Sequence, residues 1–188
     1  MSLYHNKYRI ETNRLDCWDY SKYGFYFVTI CTHKKKLFFG QSSNDDIMLN
    51  AAGKLAEKNW LKIPRQFNSV EIDEFVIMPN HIHGIIFITK NHTTGRDLII
   101  QVSTAAKKQI KNNPMKSKLS LGKIIRWYKG KTTFEIRHQL DQSDFGWQSR
   151  YYEHIIRNQK ELEKIREYIY INPIKWSINE ENPQNPKI

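Results

Sequence analysis

The sequence predicts an α+β fold whose elements run in the order β-α-β-β-α-β, with one more helix at the C-terminal end. Three observations predict it. Short β-branched and aromatic runs recur at residues 25–32, 70–78, 81–89 and 151–156. Two longer stretches, 50–62 and 121–138, space their apolar residues for helices. A last amphipathic stretch, 158–172, runs into Pro173.

Taken in order, the chain begins with a polar, irregular arm at residues 1–22 that has no apolar signal core, so secretion is not expected. The run Tyr26-Phe27-Val28-Thr29-Ile30-Cys31-Thr32 reads as a strand, and the basic turn Lys34-Lys35-Lys36 follows it. Leu55, Trp60 and Leu61 are among the apolar positions of the first helix, which Pro64 stops. Pro79-Asn80 punctuates the apolar runs on either side, so these are expected to pair as two strands. Residues 91–120 mix polar, basic, Gly and Pro residues and are expected to be a flexible insertion with one short helix. The helix at 121–138 carries basic and aromatic residues, and a short strand precedes the last helix. There Asn158 is the expected N-cap, with Glu161 three residues on and Leu162, Ile165 and Ile169 as the apolar stripe. The polar tail at 177–188 is expected to be mobile. At 188 residues the chain suits one domain, and this element order is the split arrangement of a ferredoxin-like fold.

Charge points to nucleic acid. Of the +11 net charge, nearly all the excess falls between Lys90 and Arg137, with twelve basic residues against Asp97 and Glu135. Such a block attracts phosphate backbone by counterion release, so affinity is expected to fall with salt. Within it, Lys123, Arg126, Lys129 and Lys131 flank Trp127 and Tyr128, whose rings offer stacking faces to unpaired bases. Lys123, Arg126, Trp127, Lys129 and Lys131 are therefore the expected contacts to single-stranded or hairpin nucleic acid. The longest apolar run, Ile85 to Ile88, is far too short to span a bilayer, so no membrane partner is expected. Cys17 and Cys31 form no metal-type pair and suit a reducing cytoplasm. There is no internal repeat and no phosphate-cradling glycine loop.

The most specific feature is His81-Ile82-His83. Side chains alternate along a strand, so the two imidazoles are expected side by side on one face, with Ile82 in the core. Two neutral imidazoles at that spacing can share a metal ion, although a pair of partly exposed histidines at a strand end is the plainer reading. On the last helix Tyr168 and Asn172 lie one turn apart on one face. Tyr168 can be read as a boundary residue and Asn172 as a C-terminal cap, or as a nucleophile beside a third metal ligand. Nitrogen with amide-oxygen ligation and open positions suits Mg²⁺ or Mn²⁺ and is unlike a closed structural zinc site.

The two motifs in this order resemble the single-tyrosine HUH transposases, and most closely the REP-associated tyrosine transposases. The matching stretches are Tyr26 to Thr32, Val76-Ile77-Met78-Pro79-Asn80-His81-Ile82-His83, Trp147-Gln148 with Tyr152-Glu153-His154-Ile155-Ile156-Arg157-Asn158, and Tyr168-Ile169-Tyr170-Ile171-Asn172-Pro173. The resemblance implies the same fold, with the tyrosine helix laid across the sheet face that bears the histidines. It implies that Tyr168 attacks DNA, and that His81, His83 and Asn172 hold a divalent ion, Mg or Mn, at the scissile phosphate. It further implies a palindromic hairpin substrate, a 5′-phosphotyrosine and a released 3′-hydroxyl that can reverse the step. Many mobile-element relatives carry glutamine where this chain has Asn172, whereas the REP-associated branch uses asparagine. Those mobile-element relatives are dimers with sites assembled across subunits, and the REP-associated branch tends to act as a monomer, so monomer and homodimer both stay open.

Tyr170 is two residues from Tyr168 and faces away from Asn172, and Tyr151 and Tyr152 have no ligand partner one turn away. His154 reads as a hydrogen-bonded structural residue rather than an extra ligand, and Trp147 and Gln148 as scaffold or DNA contact. Three other functions compete. A replication initiator or relaxase uses the same groups, usually in a longer chain. A 2H phosphoesterase needs two His-x-Thr/Ser motifs, and here Gly84 follows His83 with no second copy. A non-catalytic DNA-binding protein with a vestigial site is the different-class alternative.

Overall fold

The computed structural model describes residues 19–43, 46–89 and 119–176. The expected arm at 1–22, the insertion at 91–120 and the tail at 177–188 thus lie outside the described residues, save for 19–22 and 119–120. Strand β1 (Gly24–Cys31) leads through a 3-10 turn (His33–Lys35) to a small hairpin, β2 (Gly40–Ser43) and β3 (Asp46–Leu49). Helix α1 (Ala51–Leu61), short α2 (Ile63–Gln66), and strands β4 (Val70–Met78) and β5 (His81–Ile88) follow. After them come α3 (Leu121–Gln139), β6 (Tyr152–Ile156) and α4 (Gln159–Ile171). The fold is α+β, as the pattern of runs predicts.

The main sheet has the order β4-β5-β1-β6, with every neighbouring pair antiparallel. The two strands that carry the site, β5 and β1, are therefore central and shielded on both sides. The β2–β3 hairpin was not expected. Its strands are short and largely exposed, so no buried face imposes an alternation on the sequence. Gly40 makes its entry possible: at φ 149° it sits where L side chains are disfavoured, and a Cβ would lie 2.1 Å from the Met48 carbonyl oxygen.

Period-two alternation gives each face of the sheet its own core. Ile82, Ile86 and Ile88 of β5, with Tyr26, Val28 and Ile30 of β1, point to one face and pack under α1 and α3. Trp60 of α1 meets Tyr128 of α3 edge-on there, with ring centroids 5.1 Å apart, and the Tyr128 hydroxyl donates to Ala56 O at 3.1 Å. Gly84 lies on this face directly beneath Trp60. A Cβ at Gly84 would come within 2.3 Å of the indole ring. Gly84→Ala is expected to lower stability by about 1–3 kcal/mol through overpacking, read as a drop in the thermal midpoint with the native fold otherwise retained.

The opposite face is covered by α4. Leu162, Ile165 and Ile169 bury its stripe against Phe27, Ile85, Ile156 and Val76, as the spacing of those three residues predicts. Two polar attachments set the helix's angle. At its start, Asn158 Oδ1 accepts from Glu161 N at 2.9 Å. The Glu161 carboxylate reaches back past the cap to accept from Arg157 N at 2.7 Å, and pairs with His154 Nε2 at 2.7 Å. At mid-helix the Arg166 fork holds Asp73 at 2.8 and 2.5 Å. Asp73 sits where the β4 register slips between Ile72 and Phe75, an irregularity that re-aims the strand toward α4. Burial alone would raise the Asp73 pKa, but the Arg166 bonds outweigh it and hold the carboxyl below its ordinary 3.8.

Candidate active site

The site grows out of the β1–β5 register. His83 lies opposite Thr29 and His81 opposite Cys31, all on the face covered by α4. Both imidazoles are buried, at 1% and 5% exposure for His81 and His83, while Ile82 between them enters the other core. Each ring is held by its Nδ1. His81 Nδ1 lies 2.6 Å from Asn80 Oδ1 and donates to it, which leaves Nε2 with its lone pair. His83 Nδ1 lies 2.9 Å from Thr29 Oγ1, and Phe27 stacks on the His83 ring at 5.5 Å. The two Nε2 atoms then face each other at 3.0 Å.

Helix α4 closes over this pair. Tyr168 sets its hydroxyl 3.3 Å from His83 Nε2, with ring centroids 5.1 Å apart, and stays 48% exposed. Two turns on, Trp176 lies against His81 at 5.8 Å. Asn172 sits between these contacts in sequence, as the helix C-cap, and is 4% exposed. Its Oδ1 is buried with no hydrogen-bond partner among the described residues. Tyr170 is 78% exposed, which puts its hydroxyl away from the pair. Tyr152 shares the site's face and meets Phe27 edge-on at 6.3 Å.

These groups fit a divalent cation. Two nitrogens bound at right angles at about 2.1 Å from one ion stand roughly 3.0 Å apart, which is the spacing of the two Nε2 atoms here. A buried amide oxygen without a partner is costly unless something binds it. No group of three His, Cys, Asp or Glu side chains able to hold a metal occurs among the described residues. A third protein ligand would then have to come from another kind of side chain, and the Asn172 amide, with its unpartnered Oδ1, is a candidate.

Burial is the main force on His81 and the charge of Lys35 the second; together they push its pKa down to about 3. In the unfolded chain the ring ionises near 6.5, so below that pH the unfolded state takes up a proton that the native state refuses. Stability is thus fully present above about pH 6.5 and declines as pH falls toward 3. Glu135 and Glu161 add their own losses only below their ordinary 4.5. Denaturant midpoints measured with a chelator are expected to fall between pH 7 and 5, and His81→Ala is expected to flatten that slope.

The expected DNA contacts on α3 lie on the sheet face away from the histidines. Lys129 Nζ donates to Gln148 O at 2.6 Å and reaches Ser149 O at 3.5 Å, and burial lowers its pKa. Lys131 pairs with Glu135 at 2.9 Å, and Trp127 is half-buried, edge-on to Phe67 at 5.8 Å. Lys123 is half-buried and Arg126 exposed. Three of the five thus have structural work, which a basic, aromatic composition does not reveal. Of the twelve basic residues in the block, the seven from Lys90 to Lys118 lie outside the described residues. Trp147 is scaffold: its indole donates to Lys129 O at 3.2 Å and its ring meets Phe39, Tyr128 and Phe145. Gln148 N donates to Cys31 O at 2.9 Å. Thr29, Asn80, Phe27 and Trp176 belong to the site and were not singled out from sequence.

Comparison with known proteins bears on the fold. No family model matches the chain. An uncharacterised protein of Haemophilus influenzae is 40% identical over 163 residues, 87% of each chain. A second protein of that organism, provisionally named a REP-associated tyrosine transposase, is 27% identical over 158 residues, 84% of this chain and 74% of its own length. In sequence the chain is similar to this transposase. A solved REP-associated tyrosine transposase, bound to a REP hairpin, shares the fold with a TM-score of 0.53 and 21% identity, over 89% of this chain and 74% of that one. Among the described residues, no helix is long and apolar enough to cross a membrane.

Proposed function

We propose that this protein is a REP-associated tyrosine transposase, a metal-dependent transposase or endonuclease that cleaves and rejoins a hairpin-forming single DNA strand through a 5′-phosphotyrosine on Tyr168. The observation that carries this reading is the Tyr168 hydroxyl, half exposed and 3.3 Å from Nε2 of His83 in a buried histidine pair. His81, His83 and Asn172 would hold Mg²⁺ or Mn²⁺, which would supply positive charge to a phosphate at the site. The protein's own contribution is placement. The α4 stripe and the Asp73–Arg166 fork fix the phenol over the pair, and Thr29 and Asn80 fix the two rings.

In the step itself a bond forms between Tyr168 Oη and phosphorus, and the bond from phosphorus to the 3′-oxygen breaks. The phenol loses its proton and the departing oxygen gains one, so the exchange is balanced. A free phenol ionises near pH 10, so the cationic surroundings are needed to make it a nucleophile at neutral pH. The phosphodiester exchanged for a phosphotyrosine keeps its bond energy, and the 3′-hydroxyl can reverse the attack without ATP. A hairpin-bound family member supports a hairpin substrate. Tyr168, Asn172 and both histidines come from one chain, which supports a site complete in a monomer.

The test is direct. The protein is incubated with Mn²⁺ and a single-stranded hairpin labelled 3′ to the break, then run on a denaturing gel. The label is expected to travel with the protein. Hairpin binding without any adduct under Mg²⁺ or Mn²⁺ would instead favour a DNA-binding protein with a vestigial site.

A further inference from the structure

One row of residues crosses the sheet from the histidine pair to its edge. In the register, His83 of β5 stands opposite Thr29 of β1, and Thr29 stands opposite Tyr152 of β6. Directly opposed residues point to one face, so all three share the face that bears the site. Exposure rises along the row: His83 is 5% exposed, Thr29 half-buried and Tyr152 47% exposed. Two strand spacings put the Tyr152 backbone about 10 Å from that of His83.

Helix α4 covers β6 unevenly. Ile156 is buried beneath its apolar stripe, and His154 is bonded to Glu161 at 2.7 Å. From there the helix heads across the sheet to β4, where Arg166 holds Asp73, and Tyr168 stands over His83. Tyr152, the remaining β6 residue on this face, is left half in water. Between the two phenols stands Phe27, buried, edge-on to Tyr152 at 6.3 Å and to Tyr168 at 6.1 Å. One buried ring thus braces both, and each keeps about half of its surface exposed.

A braced aromatic face in water, a short reach from a nucleophile, suits a flat partner. A single DNA strand offers one on every nucleotide, because every base has a π-face. We propose that Tyr152 stacks an unpaired base of the DNA strand beside the phosphate held at the histidine pair, and so sets which phosphate meets Tyr168. A base fixed there fixes the neighbouring phosphate, since only a sugar lies between them. Stacking is sequence-tolerant, so Tyr152 positions the strand without reading it. The inference rests on the cleavage reading for its effect on register, and on single-strand binding alone for the contact.

The test uses Tyr152→Leu, Tyr152→Thr and Tyr152→Phe in the full chain, with Tyr170→Leu as an exposed aromatic directed elsewhere. Leucine keeps apolar bulk against Phe27, threonine is a small strand former, and phenylalanine keeps the ring. Thermal midpoints establish that each variant is folded. Affinity is measured in chelator, so that the strand stays whole, for a DNA hairpin with an unpaired flank on each side. Abasic sites are then moved through both flanks one nucleotide at a time. Loss of one stacked base is expected to weaken binding roughly 5- to 150-fold in Tyr152→Leu and Tyr152→Thr. Tyr152→Phe and Tyr170→Leu are expected to bind like the wild type. An abasic site at one flank position is expected to weaken the wild type by a similar factor and to cost Tyr152→Leu nothing further. Wild-type affinity in Tyr152→Leu, or losses that add in full at every flank position, would overturn the proposal. Equal loss in Tyr152→Phe would point to the hydroxyl and overturn it too. Adduct formation with Mn²⁺ is scored on the same proteins. A wild-type adduct without coupling to any base leaves the cleavage reading standing and removes the stack. Coupling with no adduct in the wild type keeps the stack and removes the cleavage reading. An adduct lost in Tyr152→Phe would make Tyr152 the nucleophile and overturn both.

Discussion

Tyr168→Phe is expected to abolish covalent attachment to hairpin DNA, while Tyr170→Phe stays active. The substitution removes one oxygen and keeps the ring, so the edge-on contact with Phe27 at 6.1 Å survives. The hydroxyl's bond to His83 Nε2 is long, at 3.3 Å, and the side chain is half exposed. Its loss is expected to cost no more than about 1 kcal/mol of stability. The chemical loss is of another order, because this is the hydroxyl set 3.3 Å from His83 Nε2 and on the proposed reading the one that attacks. A drop in adduct rate of at least roughly 10³-fold is expected, with thermal midpoint and hairpin affinity near those of the wild type. Tyr170 is 78% exposed and directed elsewhere, so its phenylalanine variant serves as the control for helix chemistry. An adduct that persists in Tyr168→Phe would move the nucleophile, with Tyr152 the next aromatic hydroxyl on the same sheet face.

What could be read from sequence is what short-range periodicity encodes. Strand alternation is strict, so His81 and His83 share a face and Ile82 faces the core whatever the rest of the fold does. A helix turn is equally local, so Tyr168 and Asn172 fall on one side and Tyr170 on another. Thr29 was hidden because its place opposite His83 depends on the register between strands more than fifty residues apart. The β2–β3 hairpin was hidden because it buries little and so imposes no pattern. The carbonyl contacts of Lys129 were hidden for a different reason: an ammonium bound to two carbonyls of a distant loop has the same sequence signature as one that awaits phosphate.

His81→Ala and His83→Ala are expected to eliminate cleavage and leave hairpin affinity largely intact, because on the proposed reading the basic block would supply affinity and the histidine pair would supply chemistry. Each variant also strands a polar neighbour, Asn80 Oδ1 for His81 and Thr29 Oγ1 for His83, so a stability cost of about 1–3 kcal/mol accompanies it. Activity alone therefore cannot separate ligand loss from damage to the fold. Metal linkage can. An ion that binds only the folded protein adds about 2.7 kcal/mol at a hundredfold excess over its Kd, which for a chain of this size raises the thermal midpoint by roughly 5–10 °C. That rise with Mn²⁺ is expected in the wild type and in Tyr168→Phe, where the three proposed ligands remain. It is expected to vanish in either histidine variant and to shrink in Asn172→Ala, whose buried oxygen has no other described partner. A midpoint rise that survives in all three would place the ion elsewhere, and an equal loss of hairpin affinity in both histidine variants would make the pair a DNA contact or a structural element.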